Sequence, residues 1–471
     1  MNKLFATSLV CLLGTASLLP TVAWADAGTE ELRKELEATR SALRDMQQRY
    51  ESQIGTLEKR LNAVEAQKAA SPVPAASPPV AATAAASAEP GASVEQRLRT
   101  LEREQTLTRG ELTTAQSDLY GSGAKEYGFS AVVNGGFAEF SRSADATLPG
   151  FGLAGGRRPE GFNADGTFLN FLGNVNEDFN AVFLGVYTKD DAFDVPMAFV
   201  HAKSLPYGFN ATFGRKPLGI GLMNVTLPYQ DAYADRPLPY RAFLGGNYYD
   251  DGLEVRWDHD VTPKTYVELG TGAFRGSRFP AAGSANDGKG SYEGFANIGD
   301  ALSGDYRWRL NASYLLAKDN GLVVGADTFH GDSSLIIAGG QLEVPFGEGF
   351  QNNVLQLQGE YFHRNLDGRV VSIADDLNSN QDGLYAQANY KFFNDYRIGY
   401  RYAWIEADNP GAAFAATSFN PAGENAQAHT VVLDYIVTPS SYLRGQYTRD
   451  KTGADDDNEY LLQYVMQFGS F

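Results

Sequence analysis

Cysteine is all but absent: Cys11 is the only one among 471 residues, so no disulfide can form within the chain. No apolar run of about 18 residues occurs beyond the extreme N-terminus, which excludes a bundle of membrane-spanning helices. Positive charge is in deficit, with 39 Lys and Arg against 57 Asp and Glu and a net charge of −18. Nucleic acid is therefore excluded as a partner, because phosphate binding needs a basic face. Methionine (5) and tryptophan (4) are scarce, whereas 25 Tyr and 28 Phe are an unusual load for a soluble enzyme. A mean hydropathy of −0.30 still permits one kind of membrane protein. A transmembrane β-strand needs only about 10 residues and shows lipid an apolar side chain at alternate positions.

Residues 1–25 read as a signal peptide. Lys3 opens a short basic region, Leu4 to Leu19 are apolar, and Ala23-Trp24-Ala25 precedes Asp26 as a small-x-small cleavage site. Cys11 lies inside the apolar stretch, so export removes the only thiol. Residues 26–68 read as a coiled coil, with Leu32, Leu36, Leu43, Met46 and Tyr50, then Ile54, Leu57, Leu61 and Val64, at spacings of three and four. The step from Tyr50 to Ile54 is a stutter. Charged residues such as Glu35, Arg40, Arg44 and Lys59 fill the other faces. The helix thus has one stripe to bury, and self-association is the economical solution; the mixed core residues of the seam leave trimer and dimer open, with a trimer expected. Residues 69–92 form an Ala/Pro-rich linker with Pro72, Pro74, Pro78, Pro79 and Pro90, which suits an extended spacer. A second short helix spans 93–123, opened by a capping signal at Ser93 and Gln96.

From 124 to 471 the period changes from 3.5 to 2. Sixteen strand-like blocks run from Tyr127–Ser141 to Glu459–Phe468. In one, Tyr306, Trp308, Leu310, Ala312 and Tyr314 alternate with Arg307, Arg309, Asn311 and Ser313; in another, Leu384, Ala386, Ala388 and Tyr390 alternate with Tyr385, Gln387 and Asn389. Connections such as Asn176-Glu177 and Phe393–Asp395 are short. The intervening ones, including Arg142–Asp165, Arg215–Asp250, Ala317–Asp332 and Arg364–Asp382, are expected to be long and polar. That alternation is what an all-β transmembrane barrel of about sixteen antiparallel strands requires, with turns on the periplasmic side and loops outside. The expected location is the outer membrane, with the coiled coil in the periplasm.

On this architecture the chain resembles bacterial outer-membrane porins, especially DcaP-type trimeric porins that place a periplasmic coiled coil and Ala/Pro spacer ahead of a sixteen-strand barrel. Locally, Pro239-Tyr240-Arg241-Ala242-Phe243-Leu244-Gly245-Gly246, Asp250-Asp251-Gly252 and Arg275-Gly276-Ser277-Arg278-Phe279-Pro280 resemble outer-membrane proteins labelled zinc-regulated TonB-dependent receptors. An energised receptor carries an N-terminal plug where this chain has a coiled coil and spacer, so the resemblance implies uptake rather than energised transport. The resemblances together imply a channel for passive or selective diffusion of small hydrophilic, including anionic, solutes. Two alternatives stay open: a specific uptake receptor for a metal or chelate, and a tether between the outer membrane and peptidoglycan. Expected partners are outer-membrane lipid, lipopolysaccharide and other copies of the chain.

No catalytic constellation stands out, and no cofactor is expected. With the apolar faces turned to lipid, the pore-lining candidates are Arg256, Arg307, Arg309, Arg397, Arg401 and Arg444, together with Glu254, Glu268, Glu360 and Asp434. These arginines either form a basic ladder that handles anions or pair with the carboxylates and brace the wall. The segment Arg215–Asp250, stiffened by Pro217, Pro228, Pro237 and Pro239, is the candidate constriction, with Arg236, Arg241, Asp231 and Asp235 setting selectivity. Asp376, Asn378, Asn380 and Asp382 space oxygen ligands by two, as calcium loops do, but lack the closing acid; a solvated hairpin tip is the preferred reading.

Overall fold

The computed structural model describes residues 127–470, less short stretches of the connections, the longest being 282–288. The expected signal peptide, coiled coil, linker and short helix lie outside the described residues. The period-two segments form β1 (Tyr127–Phe140), β2 (Gly161–Asn163), β3 (Thr167–Asn174), β4 (Phe179–Tyr187), β5 (Phe193–Ala202), β6 (Phe209–Pro217), β7 (Tyr249–Asp260), β8 (Thr265–Phe274) and β9 (Ser291–Asp300). They continue as β10 (Arg307–Val324), β11 (Asp327–Phe346), β12 (Asn353–Val370), β13 (Asp375–Phe392), β14 (Tyr396–Ala407), β15 (Ala426–Thr438), β16 (Ser441–Asp450) and β17 (Asp457–Ser470).

From β3 onward each strand pairs antiparallel with the next, and β17 returns to β1, with Phe129 opposite Ser470 and Phe140 opposite Glu459. β2 and β3 share one place in the ring: both lie along β1, with Ala138 opposite Gly161 and Val132 opposite Phe168. Seventeen strands thus fill sixteen places, and the ring has no free edge. Closure is obligatory in lipid, where an unpaired backbone N–H or C=O finds no water to replace its lost partner.

The outer face of this ring is apolar. On β10 and the residue before it, Tyr306, Leu310 and Tyr314 are exposed, and the span between the two tyrosines is about 26 Å of extended chain, close to the apolar band of a membrane barrel. The aromatic residues are unevenly placed around it. On β10 to β17 the exposed aromatics are chiefly tyrosines, among them Tyr361, Tyr390, Tyr400, Tyr435, Tyr447 and Tyr460, whereas β1 to β6 carry mainly phenylalanines, Phe129, Phe171, Phe183, Phe209 and Phe213, beside Tyr127 and Tyr187. Tyrosine suits the lipid–water boundary because its ring is apolar and its hydroxyl reaches the headgroups.

Two expected loops are instead strand. β10 and β11 meet at a turn of Gly325 and Ala326, and β12 and β13 at 371–374, so 317–332 and 364–382 are mostly paired wall. The reason is a second apolar cluster at this end, in which Leu322, Phe329, Leu366 and Leu377 pack with Phe414 and Phe419 of the segment before β15. The calcium-loop reading is corrected by the same pairing. Asp376, Asn378, Asn380 and Asp382 lie along one face of β13 instead of converging. Asn380 accepts from Asn365 at 3.1 Å, and Asp382 pairs with His363 at 2.8 Å and Tyr361 at 2.5 Å. Among the described residues no group of three or more His, Cys, Asp or Glu could hold a metal ion.

Candidate functional site

Between β6 and β7 the chain turns into the barrel. Residues 218–248 form a strap whose side chains, including Leu218, Ile220, Met223, Tyr233, Tyr240, Phe243 and Tyr248, are buried. A strap this apolar has no stable place in water, and the lumen is the available place to bury it. Its ends are tied by Asn224, which donates to the carbonyls of Leu218 and Tyr248 at 2.9 Å and accepts from the Tyr248 N–H at 2.7 Å. A short helix α1 (Leu238–Leu244) begins after Pro237, carries Pro239 in its first turn, and stops at Gly245, whose φ of 63° is left-handed.

One side of the strap hangs from carboxylates on the β9–β12 wall. Glu293 accepts from the Gly219 N–H at 2.8 Å, and Ser313 accepts from Gly221 at 3.0 Å. Glu360 accepts from the Leu222 N–H at 2.6 Å, from the Tyr240 hydroxyl at 2.7 Å and from the Tyr385 hydroxyl at 2.6 Å. Gly221 has φ +67°, and a Cβ there would lie 2.5 Å from the Tyr240 hydroxyl oxygen, so both backbone shape and space require glycine. The other side is held by β14 and β16. Arg401 donates to the Asp235 carbonyl at 2.7 Å and carboxylate at 2.9 Å, and Arg444 donates to the Asp231 carbonyl at 2.8 Å. Gln446 accepts from the Ala234 N–H at 2.9 Å. The strap therefore crosses the lumen from wall to wall.

These contacts fix the electrostatics of the strap. Burial pushes the Asp231 carboxyl up to about 6, against the pull of Arg236 at 3.0 Å. Burial acts to raise Asp235 as well, but Arg401 and Arg241 outweigh it and hold this carboxyl below its ordinary value. Of the four constriction candidates, Arg236 is turned back onto the strap, donating to the Met223 and Thr226 carbonyls at 2.6 and 2.7 Å. Arg241 approaches Asp235 only at 3.9 Å, and its Nε is buried without a partner.

Most of the wall arginines are braces. Arg256 pairs with Glu254 at 2.5 Å and Glu268 at 2.7 Å, while Lys216 also reaches Glu254. Asp434 sits between Arg397 and Arg444, the latter at 2.9 Å. Arg401 takes Asp235, and Arg307 lies 3.5 Å from Glu343. Arg309 differs: among the described residues it makes no ion pair or hydrogen bond, and its Nε is a buried donor without a partner. It faces Gln341, Gln356, Gln358 and Gln387 across a cavity of about 40 Å³ under the strap.

Two features were missed in reading the sequence. Glu293 and Gln446, which hold the strap's backbone, carry no local signal, since their partners are 74 and 212 residues away. The inward faces of β3 to β5 are apolar, with Phe168, Val182, Leu184, Met197 and Phe199 packed in one cluster with Leu227 and Tyr229 of the strap. That signal was present, because Phe179–Tyr187 and Phe193–Ala202 are nearly unbroken apolar runs that suit a strand covered on both faces.

No family model matches the chain. An uncharacterized protein of Aquifex aeolicus is 23% identical over 339 residues, covering 66% of this chain and 69% of that protein. Among solved structures, an anion-selective porin from Comamonas acidovorans is similar at 13% identity with a TM-score of 0.48, covering 73% of this chain and 99% of that one. The outer membrane channel DcaP of Acinetobacter baumannii is similar at 12% identity and a TM-score of 0.46, with 73% and 97% covered. OprB of Pseudomonas putida stands at 14% identity and 0.46, with 73% and 94% covered.

Asp434 offers a direct test of the brace. Replacing it with Asn leaves Arg397 and Arg444 buried around a neutral amide, and the expected loss is about 3–5 kcal/mol of barrel stability. Denaturant unfolding followed by β-sheet circular dichroism measures it; a loss under about 1 kcal/mol, the scale of an exposed pair, would show that the brace is dispensable.

Proposed function

We propose that this protein is an outer-membrane channel through which small hydrophilic solutes, anions preferred, diffuse without chemical change. The observation that carries the reading is a closed barrel with an apolar outer belt whose lumen is narrowed, wall to wall, by its own polar-anchored strap. Porins regulate passage in this way, because the size and charge of the narrowest section decide what leaves water to enter it. The anionic preference rests on Arg309. Arg256, Arg307, Arg397, Arg401 and Arg444 are paired with carboxylates, whereas Arg309 makes no ion pair among the described residues and faces four glutamines, the one carboxylate on that lining, Asp231, being held by Arg236 at 3.0 Å.

We further propose that the channel works as a homo-oligomer, a trimer, whose copies meet at the phenylalanine face of β1 to β6. A lipid-facing wall gains from tyrosine at its borders, and tyrosines are denser on the β10–β17 side than on β1 to β6, where Tyr127 and Tyr187 are exposed. A face of Phe, Ala and Val suits burial against a second copy of the same chain. The expected heptad seam in residues 26–68 would reinforce the same assembly. The tether alternative rests on residues 26–123 and gains no support from the barrel.

Planar-bilayer recording tests the channel reading. The expected result is stepwise conductance in KCl, with a reversal potential across a salt gradient that favours chloride and shifts toward potassium in Arg309→Ala. Absence of steps overturns the channel, and an unshifted reversal potential overturns the role of Arg309. Spin labels test the assembly. A nitroxide at Leu433→Cys should collide freely with oxygen dissolved in lipid, and one at Phe183→Cys should be shielded; equal accessibility would remove the proposed interface.

A further inference from the structure

Beside the strap lies a cavity of about 660 Å³, bounded by the inner faces of β1, β3 to β5 and β17. Its two sides differ in chemistry. One is apolar, formed by Phe140, Phe168, Val186, Met197 and Leu461 from the wall and Leu227 from the strap. The other carries Arg157 and Arg158 from the segment between β1 and β2, and Arg236 and Arg241 from the strap, against Asp235 and Glu459. Arg157 is paired with Asp457 at 2.9 Å and Arg236 with Asp231 at 3.0 Å, as Asp235 is with Arg401 at 2.9 Å, which leaves Arg158 and Arg241 against Glu459 on this side.

An apolar wall is a poor lining for a passage that serves only hydrated ions, because water beside it has fewer partners and a small inorganic anion gains nothing from the contact. The same wall stabilises a solute that has an apolar body. Arg157, held by Asp457 at 2.9 Å, lies 4.2 Å over the ring of Phe140 and so fixes that ring in the boundary between the two sides. Arg241, with its buried and unpartnered Nε, stands on the strap side of the same space. From this juxtaposition we infer that the cavity is a binding station for amphipathic organic anions, carboxylates with a compact aromatic or branched aliphatic body. The carboxylate meets the guanidinium side and the body lies on the β3–β5 wall. This assignment rests on the channel reading and names the class of solute that the channel selects.

Competition in planar bilayers tests it on the full-length protein, with benzoate, acetate and benzamide as probes of the two halves of the site. Benzoate should halve the KCl current at a concentration about tenfold below that of acetate, which lacks the body, or benzamide, which lacks the charge. Met197→Gln combined with Phe168→Gln should bring benzoate toward acetate, and Arg241→Gln should bring it toward benzamide. Should either variant fail to insert, the ranking of the three solutes on the unaltered protein decides alone. Stepwise current with benzoate and acetate equal overturns the binding station and leaves the channel standing. Absence of any stepwise current overturns both.

Discussion

Everything in this molecule depends on one constraint: within lipid, each backbone N–H and C=O must find its partner inside the protein. The pairing of β17 with β1 meets it by closing the ring. Closure in turn sorts the side chains, because successive residues must face lipid and lumen alternately. Leu310 and Tyr314 go outward; Asn311 and Ser313, between and beside them, go inward, where Asn311 bonds Asn297 at 2.7 Å. The charged residues have one place left to go, and that place is the lumen. There they are buried at a cost that pairing offsets, as Asp434 shows between its two arginines.

The strap is the second consequence. A lumen enclosed by sixteen strand places is wide, and a polar wall around it leaves backbone and side-chain groups able to hold a traversing segment. Glu293 and Glu360 accept backbone N–H groups on one side, and Arg401 and Arg444 donate to carbonyls on the other. Because the strap's own apolar residues complete clusters with Phe362, Tyr385 and Ile405 on one wall and Val182 and Met197 on another, it is part of the core and not a loop resting in a pore. What remains open is set by its position: a small amide-lined space with Arg309 on one side and the larger, half-apolar cavity on the other. The contacts that hold the strap thus also shape the spaces left in the lumen.

Much of this was legible in residues. The alternation around Tyr306–Tyr314 reported which face meets lipid, and the prolines at 217, 228, 237 and 239 marked the segment that turns inward. Strand count followed from periodicity, because alternation is a local property. The lengths of the hairpins at 317–332 and 364–382 were not legible, since polar, Gly- and Asp-rich stretches read as loops unless one knows that Phe414 and Phe419 will cover them. Nor could composition separate a basic ladder from a braced wall. Arg309 and Arg307 are two residues apart on the same face of β10, and only the register opposite β11 gives Arg307 the carboxylate of Glu343 while Arg309 meets Gln341.

The central claim is that the strap, not the ring, sets the width of the passage. Single-channel conductance of a variant in which residues 225–236 are replaced by a short Gly/Ser link measures this directly, since conductance follows the narrowest open section. The account predicts a severalfold larger unit conductance with the barrel intact by circular dichroism. An unchanged unit conductance in a folded barrel would contradict it.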